Sequence, residues 1–553
     1  MNDAQSLVKS KQRVAGHGEV FTQPWVVEMM LDLLNYTPDR NLATTQIIEP
    51  SIGTGAFVVP IIERLIASAR NFNSSLDDLL NSVFGMDVEL SHVDTCRSKI
   101  WRLLLNHGFN EHDATLLTTN WFHQGDFLID DVPTGADFVV GNPPYIRSEA
   151  LDDIIEKKYR DNWATMRGRS DIYIGFYERG LSLLSPGGRL AYICADRWMH
   201  NSYGKRLRGL ISKRYAVETV WQMHEVDAFE EHVSAYPAIT VLANTPQLSA
   251  TFIDTSESFN RSSAQDAITF MRGNGESQRG HGWEGVRLPK WFDTDDFWPA
   301  ATPGVIKLIE QLQENFSTLG DDDSTRISIG VATGNDKAYL VDRNAFVEVE
   351  PDRLLPIVMA ADIRQGILNQ PSKMLLNPWD AQGNLINLHD YPRFARLLER
   401  QPQIRERYVA KKNPSNWYRT IDKVYPGLAY RPKLLFQDMK TEITPVYEPG
   451  GLYPHHNLYY IVSDTWDLEV LGGLLLSKIA EAFINAYGVK MRGGTLRFQA
   501  QYLRKIVVPN PADLTDDVAE RLRDAFRRRD RASADLAAEE AYRLPQGTIE
   551  KYL

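Results

Sequence analysis

Through the first 245 or so residues, short apolar runs alternate with longer stretches whose apolar positions recur at helical spacing. Gln46-Ile-Ile-Glu49, Val83-Phe-Gly-Met-Asp-Val88 and Asp137-Phe-Val-Val-Gly141 read as buried strands. Helices are predicted over Trp25–Leu34, from Phe57 to about Ala69, over Leu90–Leu105 and from Asp171 to an end at Leu184-Ser-Pro-Gly-Gly188. A strand at Arg189–Asp196, a basic helix at Tyr203–Lys213, and strands at Val217–Trp221 and Ala235–Ala243 close the pattern. Pro237 cannot donate to a ladder, so it belongs at an edge or at a strand start. Strands alternating with helices in this order indicate an α/β fold.

Polar residues recur where these strands end. Glu49 precedes a Gly-x-Gly turn, Glu49-Pro-Ser-Ile-Gly-Thr-Gly-Ala-Phe57, that runs into a helix. Its glycines let backbone approach a ligand, and the helix start offers free N–H groups. No Gly-Lys-Ser/Thr follows, so the turn is not a polyphosphate loop. Asp87 ends the second strand, where a doubly wound sheet places the carboxylate that grips ribose hydroxyls. Asp126 ends a third, with Phe127 beside it to stack on a base. Any one acid could be a turn residue or a helix cap; four polar strand ends in succession are hard to explain that way. Upstream, Thr22 is placed to cap the first helix, with Pro24 in its first turn.

The fourth strand end is Asn142-Pro-Pro-Tyr145. Two prolines fix φ and contribute no N–H, so the bend is rigid. Asn142 offers a side-chain acceptor, Pro143 a backbone acceptor and Tyr145 a flat ring. Two acceptors beside a ring suit an exocyclic amine on a planar heterocycle, which is the requirement for methylating a base amine.

In this order the residues resemble the γ-class, Taq-type adenine-N6 DNA methyltransferases over residues 16 to about 245. The resemblance implies S-adenosyl-L-methionine as cofactor, held by Thr22, Glu49, Ser51, Gly53, Gly55, Phe57, Asp87, Asp126, Phe127 and Pro144. It implies Asn142, Pro143 and Tyr145 as the catalytic group, with Tyr145 and Phe229 against a flipped adenine. The fold implied is a Rossmann-like, seven-stranded methyltransferase sheet with a C-terminal α+β DNA-recognition domain. The expected division is 1–250 catalytic, 251–315 a Ser/Asn/Gly-rich connection, 316–512 target recognition and 513–553 a helical tail.

Composition adds limits. With 553 residues, 43% apolar and 24% charged, the chain has material for two large units. No apolar run spans a membrane and no leader is evident, so a cytoplasmic protein is expected. Cys96 and Cys194 have no metal or redox spacing and read as buried thiols. A net charge of −11 argues against non-specific coating of nucleic acid, so any DNA contact must be local. Tyr391–Lys433 supplies such a place, with eleven Lys/Arg against three acids and seven aromatics. From it Lys411, Lys412, Trp417, Arg419 and Lys423 are candidate contacts to double-stranded DNA, with Arg492 and Arg497 from a third basic segment. The Arg527–Arg531 run reads as solvated. His224-Glu225 lacks a metal spacing, and His455 and His456 are expected on opposite faces of a strand, so no metal is expected.

Only about twenty residues precede the first motif, which leaves no room for a nuclease there, so any cutting falls to a separate restriction endonuclease. Asn-Pro-Pro-Tyr also occurs in enzymes that methylate RNA adenine or protein glutamine; the long second half disfavours both. A DNA-binding module with an inactive methyltransferase fold is the non-enzymatic alternative.

Overall fold

Four parallel strands carry the polar ends: β1 (Ile47–Glu49), β2 (Val83–Asp87), β3 (Phe122–Gln124) and β4 (Ala136–Gly141). In the computed structural model, which describes residues 22–230, 236–321, 323–345, 347–488 and 496–553, they begin a sheet of ten strands. The others are β5 (Leu184–Ala195), β6 (Ala216–Gln222), β7 (Pro237–Ala243), β8 (Ala250–Thr255), β9 (Ser277–Gly280) and β10 (Trp283–Leu288). Their order is β3-β2-β1-β4-β5-β7-β6-β8-β10-β9. From β1 the chain builds outward through β2 and β3, then returns to β4 on the other side. The crevice outside the carboxyl ends of β1 and β4 is therefore the switch point where open α/β sheets bind ligands.

β1 and β2 are buried throughout, on both faces, which is why their sequences are near-continuous apolar runs rather than alternations. Leu65, Val93, Ile100 and Trp121, from the helices Val58–Phe72, Leu90–Asn106 and Glu111–Trp121, are all fully buried in one core cluster. Pro237 is the first residue of β7, an antiparallel strand inside the sheet, so the strand-start alternative holds rather than the edge.

Two expectations are corrected. The sheet has ten strands rather than seven, because residues 250–288 are no connection: β8 pairs with β6, and β10 lies between β8 and β9. The polar composition there hides an amphipathic helix, Arg261–Arg272, whose start Asn260 caps and whose Ala264, Ala267 and Ile268 are buried. The first compact unit accordingly ends at Lys307, not near 250. Arg208 is 1% exposed and donates to the carbonyls of Asp295 and Asp296, and Trp198 meets Trp298 edge to face at 5.1 Å, so 291–298 is also part of this unit.

The second unit, Leu308–Leu553, contains two four-stranded sheets. One comprises Thr325–Ile329, Leu458–Ser463, Lys433–Gln437 and Val446–Glu448. The other comprises Leu340–Asp342, Lys373–Leu376, Leu354–Val358 and Tyr453–Pro454. The tail is not separate. A Cβ at Gly473 would lie 2.3 Å from the Leu522 carbonyl, so the helix Asp516–Arg528 packs directly on Leu468–Leu476. Nor is the arginine run merely solvated: Arg527 pairs with Glu469 and Arg531 with Glu481, while Arg529 donates to the carbonyls of Pro445 and Gly366. Among the described residues, no single helix is long and apolar enough to cross a membrane. Both cysteines are buried free thiols.

Candidate active site

A cavity of about 280 Å³ opens at the carboxyl ends of β1, β2 and β4. Thr22, Glu49, Ser51, Gly53, Phe57, Asp87, Asp126, Phe127, Asn142 and Pro144 all line it. Gly55 is not on the wall; it shapes the turn instead. Its φ is +95° and a Cβ there would meet Cys96 Sγ at 3.2 Å, so the position suits glycine on both counts.

The turn after β1 is tied to β2 by its own hydrogen bonds. Gly53 N–H donates to Asp87 Oδ2 at 2.9 Å, and Ile52 N–H to the Met86 carbonyl at 3.1 Å. Asp87 Oδ1 accepts from Glu89 N–H and faces His92 Nδ1 at 3.1 Å. Glu49 is 3% exposed, and its Oε2 is buried without a hydrogen-bond partner among the described residues. Burial, and next the negative charge of Asp87, push its carboxyl well above the usual range. A buried carboxylate oxygen lacking a donor, on the wall of a cavity, is a place for a ligand's cationic group.

Asp126 combines both readings of it. Its Oδ1 accepts from Leu128 N–H, as a turn residue does, while Oδ2 accepts from the Tyr159 hydroxyl at 2.7 Å. Phe127 does not stand open: it is 2% exposed and stacks on Phe176 at 5.0 Å, and its carbonyl accepts from Arg179.

Thr22 is not a helix cap. Gln23 occupies that position and Pro24 starts the helix, while Thr22 forms an antiparallel bridge with Phe229. Gln23 N–H donates to the Ala228 carbonyl at 3.0 Å, so the two segments are laced together. Thr22 is 1% exposed and its Oγ1 accepts from Asn142 Nδ2 at 3.2 Å. The backbone carbonyl of Asn142 accepts from Ser51 Oγ at 3.2 Å. Two other stretches, 120 and 91 residues away in sequence, thus fix one asparagine, and the amide nitrogen faces Thr22.

Pro143 is buried and neither it nor Tyr145 lines the cavity. The Tyr145 hydroxyl reaches the Ile193 carbonyl at 3.5 Å, and its ring meets Tyr173 and Phe229 at centroid distances of 6.2 and 6.4 Å. Burial raises the hydroxyl well above its ordinary range, so it stays a neutral phenol. Tyr145 and Phe229 stand at 82° to each other, so a flat ring lying on one presents its edge to the other.

The basic segment divides on inspection. Lys411, Lys412 and Lys423 are exposed, with Tyr408, Tyr425 and Tyr430 exposed among them. Trp417 is 8% exposed with the Arg405 guanidinium 3.8 Å from its centroid, so it is a core residue rather than a free contact. Arg419 is half-buried over Trp379 at 5.8 Å. Arg497 is paired with Asp438. Arg492 lies outside the described residues. Arg407 and Lys433 are structural as well: Arg407 donates to the carbonyls of Thr333, Trp417 and Arg419, and Lys433 is wholly buried against Glu448.

Sequence reasoning missed His92, Tyr159 and Phe176, which all line the cavity. His92, five residues beyond Asp87 in the first turn of the next helix, was in principle findable; nothing in the polar stretch around Tyr159 singles it out.

Residues 63–229 match the family model of the Eco57I restriction-modification methylases. The chain is 39% identical over 547 residues to the Type II methyltransferase M.BstVI of Geobacillus stearothermophilus, covering 97% of each chain. It is 41% identical over 554 residues to M.PaeR7I of Pseudomonas aeruginosa, covering 98% of this chain and 94% of that one. With M.XhoI of Xanthomonas vasicola the identity is 38% over 533 residues, 95% of this chain and 97% of that one. A strand-end cavity of this design and full-length similarity at this level place the protein in one class: it belongs to the Type II methyltransferases of restriction-modification systems. Its cofactor is S-adenosyl-L-methionine.

Proposed function

We propose that the chain methylates the N6 amine of an adenine flipped out of double-stranded DNA at a specific sequence. The observation that carries this reading is the anchoring of Asn142 by Thr22 and Ser51 beside the perpendicular pair Tyr145 and Phe229. Adenine N6 is conjugated into its ring and is a poor nucleophile. With the Asn142 amide oxygen and the Pro143 carbonyl each accepting one N–H, the nitrogen is drawn toward tetrahedral geometry and its lone pair localises. Positioning and fixed dipoles supply most of the acceleration, with no need for a covalent enzyme intermediate.

S-adenosyl-L-methionine supplies an electrophilic methyl on a sulfonium when bound. Glu49 suits its ammonium, since the unpartnered Oε2 gains a donor, and Asp87 retains lone pairs for ribose hydroxyls. Ser51, Gly53 and Phe57 hold the methionine side, while Asp126, Phe127 and Pro144 border the adenine side. Flipping costs a few kcal/mol, and stacking on Tyr145, worth about 1–3 kcal/mol, offsets much of it. Exposed Lys411, Lys412 and Lys423 neutralise phosphates, in an intracellular protein that works beside a separate endonuclease.

The test is transfer of labelled methyl from the donor to duplex DNA, RNA and protein offered in parallel. DNA alone is expected to be labelled, and Asn142→Ala should lose transfer while still binding donor and DNA. Labelling of RNA or protein instead, or full activity in that variant, contradicts the reading.

A further inference from the structure

His455 and His456 do not alternate across a strand. They follow Tyr453–Pro454 at the turn that leads into Leu458–Ser463, and their ring centroids are 4.1 Å apart. The backbone pins them there: His455 N–H donates to the Val358 carbonyl and His456 N–H to that of Val331, each at 3.0 Å. Asp336 arrives from the segment following Val331. Thr333 Oγ1 donates to its Oδ1 at 2.6 Å, and Oδ2 lies 3.1 Å from His455 Nε2. Each of the three side chains presents a ligand atom within 4.8 Å of the other two.

His455 is 2% exposed, and its Nδ1 is buried with no hydrogen-bond partner among the described residues. The other ring nitrogen, Nε2, is the one that meets Asp336, with the His456 ring held against the same imidazole. A shared proton explains the contact with Asp336, but not the second imidazole held against the first. Two imidazoles and a carboxylate form a ligand set for zinc-class ions. The 3.1 Å between Nε2 and Oδ2 is also close to the separation of two ligands each about 2.0–2.1 Å from one ion.

We propose that Asp336, His455 and His456 bind one divalent transition-metal ion of the zinc class, which ties the segment after Val331 to the turn at His455. The ion takes the place of the proton between Nε2 and Oδ2 and meets His456 on the solvent side, where that residue is exposed and water completes the coordination. Residues 119 apart in sequence become joined, so the ion stabilises the folded C-terminal unit against the unfolded chain. Magnesium, which prefers oxygen ligands, does not suit the site. None of these residues takes part in the proposed methyl transfer, so the two readings stand or fall separately.

The untagged full-length chain, stripped with a chelator and dialysed against zinc chloride, is expected to retain about one zinc per chain by elemental analysis. Zinc should raise its thermal midpoint, and magnesium at equal concentration should not. Loaded with cobalt(II), it should show visible absorption from imidazole coordination. His456→Gln alters an exposed position, so it tests the site without emptying the core; it should bind zinc at least about tenfold more weakly and lose the thermal rise. Circular dichroism matching the parent's confirms that this variant folds. A parent chain that retains well under one zinc, or a His456→Gln chain with the parent's zinc affinity and thermal rise, overturns the site.

Discussion

Replacing Thr22 with valine keeps a β-branched side chain of nearly the same shape and removes one oxygen. That oxygen accepts from Asn142 Nδ2 at 3.2 Å, on a residue 1% exposed, so water has little access to replace it. The bridge from Thr22 to Phe229 is made by backbone and survives the change. Losing one acceptor for a buried N–H costs about 1–3 kcal/mol. If that free energy is expressed in the orientation of the Asn142 amide at the transition state, the rate falls roughly 5- to 150-fold. The assay is single-turnover transfer of labelled methyl to duplex DNA at saturating donor, with donor affinity measured by calorimetry and DNA affinity by anisotropy. Both affinities should stay within about threefold of the parent, since the oxygen orients a catalytic group rather than supplying binding uniformly. Thr22→Ser should recover most of the rate. An unchanged rate in Thr22→Val, with Asn142→Ala inactive, would refute the claim that Thr22 sets the amide.

Burial and Asp87 hold the Glu49 carboxyl well above its ordinary range, and a donor ammonium would bring it down, so donor binding should release a proton. Affinity should therefore weaken as pH falls through the raised pKa, by at most about tenfold per pH unit. Calorimetry in buffers of different ionisation enthalpy measures the release; equal enthalpies in all of them, or release persisting in Glu49→Gln, would contradict it. Tyr145→Phe loses only a 3.5 Å contact to the Ile193 carbonyl and should transfer methyl within about threefold of the parent. Tyr145→Ala loses a stacking surface worth about 1–3 kcal/mol, so the two variants should separate clearly in single-turnover rate. Lys433→Met strands Glu448, which is 1% exposed, and should destabilise the chain by about 3–5 kcal/mol in urea unfolding. Adding Glu448→Leu should restore much of that, and a single variant as stable as the parent would show the pair to be dispensable.

Strand ends were the legible part of the chain. Buried parallel strands are bare apolar runs, and Glu49, Asp87 and Asp126 stand out against them because polar residues at a strand end need a reason. The bend at Asn142-Pro-Pro-Tyr145 was legible because proline restricts the backbone whatever surrounds it. Thr22 was misread for the opposite reason. Beside Pro24 it has the local signature of a cap, and only the fold brings Phe229 and Asn142 to it, 207 and 120 residues away. Residues 250–288 were missed because their Ser, Asn and Gly content outweighs a strand and helix pattern that becomes evident only when β6 offers an edge to pair with. Trp417 and Arg407 show the limit of reading charge: a basic, aromatic stretch looks alike whether its guanidinium groups face phosphates or, as for Arg407, the chain's own carbonyls.

The most direct test of the central claim is to digest methylated duplex DNA to nucleosides and identify the product by mass spectrometry. DNA incubated with the chain and S-adenosyl-L-methionine should yield N6-methyldeoxyadenosine, and DNA incubated with the Asn142→Ala chain should not. A methylated cytosine in its place, or N6-methyldeoxyadenosine formed equally well without the Asn142 side chain, would contradict the account.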